Sequence, residues 1–160
     1  MTLKRSKTVQ LKTARGRTAS SQRWLRRQLN DPYVQEAQRL GYRSRSAFKL
    51  LQLDEKFGLL HKGQRVVDLG AAPGGWSQVA ANRVVQKTSG KIIGLDLLPM
   101  EPIPGVTLMQ ADFMSQDGLE SLMEICPDGI DLVISDMAAP TTGHAPVSYT
   151  HLTLPTKRIV

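Results

Sequence analysis

The chain has 160 residues, 41% of them hydrophobic, with one cysteine and a formal net charge of +7. That length suits one domain with its own core, and lone Cys126 excludes an internal disulfide framework and favours a reducing compartment. No apolar run approaches the roughly 18 residues of a membrane span and no hydrophobic leader is present, so the expectation is a cytoplasmic protein without a membrane partner.

Charge is distributed unevenly. Residues 1–50 hold 13 Lys/Arg against only Asp31 and Glu36, a net of +11, whereas residues 51–160 carry a net of −4. A basic arm on a mildly acidic body fits a polyanion partner such as nucleic acid. A solubilising disordered tail shares that composition. So does an organellar transit peptide, because residues 1–30 are rich in Arg and Ser/Thr and contain no acid. Residues 1 to about 30 show no apolar period and read as a flexible arm. Within it, Trp24 lies among Arg23, Arg26 and Arg27. The cluster offers a ring for base stacking and guanidiniums for phosphates; a short helix docking Trp24 on the body is the other reading.

Asp31-Pro32 marks a helix start, with Asp as N-cap and Pro in the first turn. This helix runs from Tyr33 to about Leu40 and stops at Gly41. A second helix begins after Ser44 and ends at Gly58, with Ala47, Phe48, Leu51 and Phe57 as its buried stripe. Arg45, Lys49, Gln52 and Lys56 fall on the polar side at helical spacing. A pattern of strands and helices follows: strand Val66–Leu69, helix Trp76–Val85, strand Ile92–Asp96, strand Val106–Asp112, helix Gly118–Cys126 and strand Ile130–Asp136. Near-continuous apolar strands alternating with helices argue for a parallel α/β sheet.

The first strand leads into Asp68-Leu69-Gly70-Ala71-Ala72-Pro73-Gly74-Gly75-Trp76-Ser77-Gln78. A glycine-rich turn between a strand and a helix is the architecture of a nucleotide-type ligand site. The spacing is Gly-x-x-x-Gly-Gly, which does not fit the G-x-G-x-x-G of dinucleotide sites, and no Lys-Ser or Lys-Thr follows to make a phosphate-cradling loop. A turn that lets a ligand approach closely without phosphate-binding equipment suits a nucleoside lacking phosphate, S-adenosylmethionine being the common one. An ordinary strand–turn–helix connection is the plainer alternative. Each predicted strand also has an acid at or near its end: Asp68, Asp96, Asp112 and Asp136. One such acid is usually a turn residue or helix cap, but four fall together on the edge where open α/β sheets bind ligands. Asp68 is assigned partly to structure, holding the glycine loop in shape.

These segments together resemble the FtsJ-type (RlmE-type) ribose 2′-O-methyltransferases of ribosomal RNA. The matching stretches are Asp31 to Val34, Tyr42 to Leu50, Val67 to Gln78, Asp96 to Met100, Asp112-Phe113 and Ser135 to Ala138. The resemblance covers about Ser21 to Thr142. It implies a Rossmann-like, doubly wound and mostly parallel α/β fold that uses S-adenosyl-L-methionine to methylate a uridine ribose in large-subunit (23S) ribosomal RNA. It also implies roles. Gly74 and Trp76 line the cofactor's methionine end, Asp96 binds its ribose hydroxyls, Asp112 approaches its adenine and Asp136 sits beside the reactive methyl. Lys49 and Asp136 are members of a Lys-Asp-Lys-Glu catalytic set. The chemistry is consistent: a carboxylate accepts two hydrogen bonds from a ribose diol, and a lysine serves as base only if its pKa falls toward the working pH.

The family pattern continues beyond the fourth strand, where the second catalytic lysine and the glutamate lie. After His144 the similarity stops, and residues 145–160 read as a non-family tail in which Lys157 and Arg158 match no motif. The expected organisation is therefore a basic RNA-binding arm (1–30), a partial methyltransferase domain lacking its C-terminal strands (31–144) and that tail. On this reading the chain is inactive through truncation, and Ile130–Ile134 becomes a sheet edge. The alternatives are a non-catalytic cofactor- or RNA-binding fragment and a 2′-O-methyltransferase of another RNA. A monomer is expected, and no metal, since His61, His144 and His151 form no ligand spacing with Cys126.

Overall fold

The structure, a computed structural model, describes residues 18–85 and 89–137, the side chains of Trp24 and Gln28 excepted. The arm up to residue 17, His144, and the 145–160 segment lie outside the described residues, as does the ring of Trp24. Nine elements follow in order: α1 (Ala19–Leu29), α2 (Pro32–Arg39), α3 (Ala47–Phe57), β1 (Arg65–Leu69), α4 (Gly75–Val84), β2 (Lys91–Asp96), β3 (Val106–Gln110), α5 (Gln116–Ile125) and β4 (Leu132–Ser135).

All described strands are parallel, in the order β3-β2-β1-β4. Register explains the layering. Val66 of β1 pairs with Ile92 of β2, and both point to one face; Val67 pairs with Ile93, and both point to the other. Val66 and Ile92 pack in a core with Leu50 of α3 and with Trp76, Val79 and Ala80 of α4. Val67 and Ile93 pack against Leu122 of α5 and Cys126. Helices thus cover both faces, as a parallel sheet requires. The central strands are buried, whereas β3 has only partly covered and exposed positions and β4 has a single buried residue, Ile134. Among the described strands, β4 pairs on one side only.

The cap residues behave as their chemistry dictates. Asp31 accepts from the Tyr33 amide at 2.9 Å to start α2, and Gly58, in the left-handed region at φ +58°, ends α3. Phe48 anchors α2 and the following loop, its ring 5.7 Å from Tyr33 and 6.0 Å from Tyr42.

One choice is decided and one expectation needs correction. Residues 19–29 form α1, in line with the helical reading of that segment and not with a flexible arm. This helix lacks a long apolar stripe and rests on local chemistry instead: the Thr18 hydroxyl accepts from the Ser21 amide at 3.3 Å, and Arg, Gln and Leu favour helix. The Gln35 side chain then donates to the Leu29 carbonyl at 2.9 Å, tying α1 to α2. Phe57 does not belong to the buried stripe of α3; it is 58% exposed, with the Lys56 ammonium 5.0 Å from its ring centre.

Candidate functional site

The site is built at the carboxyl ends of β1, β2 and β4. The chain leaves β1 through Gly70, whose φ of +69° is left-handed. A Cβ there would meet Met137 Cγ at 2.1 Å, so the glycine leaves room for the Met137 side chain to lie against this turn. The Gly70 and Ala71 amides both donate to the Leu95 carbonyl, at 2.9 and 3.1 Å, which folds the loop over β2. Asp96, at the end of β2, completes the hold. Its Oδ2 accepts from the Ala72 amide and its Oδ1 from the Leu98 amide, both at 2.8 Å.

Beneath the loop lies Asp68, 1% exposed. It shares a sheet face with Val66 and points toward α4, where the Ser77 hydroxyl donates to it at 2.7 Å. Its register partner on β2 is Gly94, and a Cβ at Gly94 would stand 3.0 Å from the Ser77 oxygen. The small residue on β2 therefore makes room for the Ser77–Asp68 bond. Burial pushes the Asp68 carboxyl up to about 6; the Ser77 hydrogen bonds oppose this, and the charges of Asp136 and Asp96 add to it.

Two connected hollows open here. A cleft of about 330 Å³ is lined by Gly70, Ala72, Asp96, Leu97, Phe113, Asp136 and Met137. A smaller hollow beside it is lined by Ser46, Asp68, Trp76 and again Asp136 among others. Asp136 stands at the junction, and Lys49, reaching across from α3, donates to its Oδ1 at 2.7 Å. The pair is open to solvent, with Lys49 65% and Asp136 30% exposed at their side chains.

The expected site residues divide into two groups. Lys49, Trp76, Asp96 and Asp136 come together around the two hollows. Trp76 does so from a buried position, its indole N–H donating to the Ser46 carbonyl at 2.9 Å. Gly74 and Asp112 do not line them. Gly74 sits at the start of α4 with φ +108°, and a Cβ on it would face Ile103 and Arg43. Asp112 turns back on its own loop, accepting from the Met114 amide at 2.9 Å in the approach to α5, and its neighbour Phe113 reaches the cleft instead. Leu97, Phe113 and Met137 belong to the motif stretches but carried no assigned role; their apolar side chains supply the walls against which a flat ring can stack. Ser46 was missed as well. It lies within the Tyr42 to Leu50 stretch without an assigned role, because its place in the hollow it shares with Asp68 depends on how α3 packs against α4.

The chain matches the model of the FtsJ-like methyltransferase family over residues 42–154, ten residues into the segment set apart as a tail. A protein of Paramagnetospirillum magneticum named ribosomal RNA large subunit methyltransferase E is 57% identical over 143 residues, covering 88% of this chain and 59% of its own length. One of the same name from Novosphingobium aromaticivorans is 60% identical over 134 residues, covering 84% and 59%. The crystal structure of a Plasmodium falciparum protein named as a ribosomal RNA methyltransferase superposes with a TM-score of 0.59 at 38% identity, covering 64% of this chain and 60% of that one. The chain thus spans about 60% of the length of these relatives.

Proposed function

Since the chain belongs to the FtsJ-like methyltransferase family, we propose that its cleft binds S-adenosyl-L-methionine and that the protein methylates a uridine ribose 2′-hydroxyl in large-subunit ribosomal RNA. The chemistry of the lining residues fits this cofactor. Asp96 accepts one backbone N–H on each oxygen and keeps lone pairs for the two hydroxyls of a ribose. Leu97 and Phe113 offer apolar faces for an adenine. Asp136, on the other wall, places negative charge where a cationic sulfonium is favoured. When bound, the cofactor supplies an electrophilic methyl group.

The remaining work falls to the chain's own side chains. Methyl transfer is an in-line displacement, so holding the hydroxyl in the right line supplies much of the rate. Lys49 and Asp136 form one hydrogen-bonded unit at the mouth of the cleft, open on the side from which an RNA ribose can enter. In this arrangement the Lys49 ammonium orients the Asp136 carboxylate and brings positive charge to the oxygen that sheds its proton. Lys49 takes that proton itself only after losing one of its own. Arg23, Arg26 and Arg27 on α1 present guanidiniums for the phosphates of the same RNA.

The observation that carries this reading is the meeting of Lys49 and Asp136 on the cleft that Asp96 also lines. Two measurements test it. Calorimetry with S-adenosylmethionine on this chain should give a heat that Asp96→Ala abolishes or weakens. Labelled-methyl transfer by the full-length protein should favour large-subunit ribosomal RNA over transfer RNA. Equal heats for parent and variant would remove Asp96 from the site, and equal labelling of both RNAs would remove the substrate assignment.

A further inference from the structure

Arg43 differs from the other described arginines whose guanidiniums have named partners. Arg39, Arg45, Arg65 and Arg83 each pair with a carboxylate, those of Glu36, Asp31, Asp131 and Asp54. The Arg43 guanidinium donates to backbone carbonyls instead: to Glu101 at 2.7 Å, to Pro102 at 2.7 Å and, more weakly, to Pro73 at 3.4 Å. These carbonyls belong to two separate loops, the glycine loop after β1 and the segment after β2.

The contacts close a ring around Gly74. Next to Pro102 is Ile103, 5% exposed, whose Cδ1 would stand 2.5 Å from a Cβ on Gly74. Arg43 Cδ would stand 3.3 Å from the same point. The outer side of the glycine loop therefore rests on Ile103 and the Arg43 stem, while the Arg43 head holds the backbone that carries Ile103. Gln78 of α4 anchors Arg43 in turn. Its side-chain oxygen accepts from the Arg43 amide at 2.8 Å, and its nitrogen donates to the Gly41 carbonyl at 3.0 Å. The Gly41–Ser46 segment, which leads into the helix bearing Lys49, is thus joined to the loop that roofs the cleft.

We propose that Arg43 is a positioning residue for the cofactor loop, its guanidinium fork fixing the Glu101–Ile103 backbone as the seat of Gly74. Its connection to cofactor affinity rests on the cleft being the cofactor site, as proposed above. A planar fork spans the carbonyls of adjacent residues; a lysine ammonium is a point donor on a flexible stem and does not hold both in one plane. Geometry and charge are therefore separable. If Arg43 served by charge alone, for instance on an RNA phosphate, Arg43→Lys would preserve its role.

The test compares the parent chain with Arg43→Lys and Arg43→Gln by two readouts. The first is calorimetric affinity for S-adenosylhomocysteine, measured well below the melting temperature of each protein. Both variants should bind about tenfold more weakly. The second is hydrogen exchange without any ligand. Peptides covering residues 70–76 and 99–104 should exchange several-fold faster in both variants, while β1 and the latter half of α4 keep the parent rate. Parent-like exchange in either peptide, a uniform acceleration across the whole chain, or full retention of affinity by Arg43→Lys would each overturn the proposal. If the parent itself does not bind S-adenosylhomocysteine, the cofactor reading fails, and the exchange measurement alone decides whether the clamp exists.

Discussion

The two inner strands and the two outer strands hold their acids differently. Asp68 and Asp96, on β1 and β2, are built into the scaffold. One is buried on Ser77, and the other is fixed by two backbone amides. Asp112 and Asp136, which follow β3 and β4, stand at the surface, bonded to the Met114 amide and to the Lys49 ammonium respectively. Burial follows the same division, since β1 and β2 are covered on both faces while β3 and β4 are covered in part. The difference is one of setting: the inner pair is built into the walls of the cleft, and the outer pair stands open to solvent, as the proposed meeting of Lys49 and Asp136 with an RNA ribose requires. Substitutions on the two sides should therefore fail in different ways.

The largest effect should come from the outer side and touch activity alone. In the full-length protein, Lys49→Ala should lower methyl transfer on the order of 10³-fold, the scale expected when a group acting on the reacting hydroxyl is lost. Its stability should change by less than about 1 kcal/mol, because the Lys49–Asp136 pair is exposed. Urea unfolding beside a labelled-methyl assay separates the two quantities. A large loss of stability would move Lys49 to the scaffold side of the comparison.

Asp68 should show the opposite pattern. Its carboxyl is raised from 3.8 to about 6 in the folded protein, so the folded state holds the proton that the unfolded chain releases first. Below about pH 3 the group is neutral in both states and costs nothing. Between about pH 4 and pH 6 the unfolded chain is ionised while the folded protein still holds the proton, and stability falls by about 3 kcal/mol in total, levelling off above pH 6 where both states are ionised. Asp68→Asn cannot ionise, so the difference in unfolding free energy between parent and variant should change by about that amount between pH 4 and pH 7.5. A pH-independent difference would show that the group is not suppressed in the fold.

Much of this division was legible in the chain itself. The alternation of Val66-Val67 and Ile92-Ile93 with helical segments marks the inner strands, because burial on both faces demands unbroken apolar runs. The glycine loop and Asp96 could be found for the same reason: a sharp turn at a strand end has few sequence solutions. Other features could not be read because they depend on distant partners. Arg43 and Gln78 are 35 residues apart, and no local pattern tells an arginine that grips carbonyls from one that lies in solvent. Asp112 and Phe113 show the complementary problem. Asp112 accepts the Met114 amide on one carboxylate oxygen, as Asp96 accepts the Leu98 amide, and it is the aromatic neighbour that lines the cleft. α1 was left between a helix and a flexible arm because it has little apolar periodicity to decide the choice.

Asp96 spans both sides of the comparison and should give an intermediate result. Asp96→Ala removes the acceptor for the Ala72 and Leu98 amides together with the group assigned to the cofactor ribose. Two charge-assisted hydrogen bonds to a diol contribute about 3 kcal/mol, so affinity for the proposed cofactor should fall about 100-fold. Asp96→Asn retains one oxygen acceptor and should lose less. If both variants lose equally, the loop itself has collapsed; faster hydrogen exchange at Ala72 in the absence of ligand would identify that outcome.

The smallest effect should lie farthest from the sheet, on α1. Arg26 and Arg27 lie three and four residues after Arg23, which puts both beside it on one side of the helix with Ser20. No acid occurs within α1 to neutralise them. Phosphate contacts of this kind release counterions, so each contributes close to one unit to the slope of log affinity against log salt. Replacing all three by Gln keeps residues that favour helix and leaves the cleft untouched. Fluorescence polarisation with a labelled ribosomal RNA fragment, from 50 to 200 mM salt, should then show a slope shallower by about 2 to 3, with cofactor affinity unchanged. A slope equal to that of the parent would assign the phosphate contacts to other basic residues. A change in cofactor affinity would instead mean that α1 is coupled to the sheet and does not act as a separate electrostatic surface.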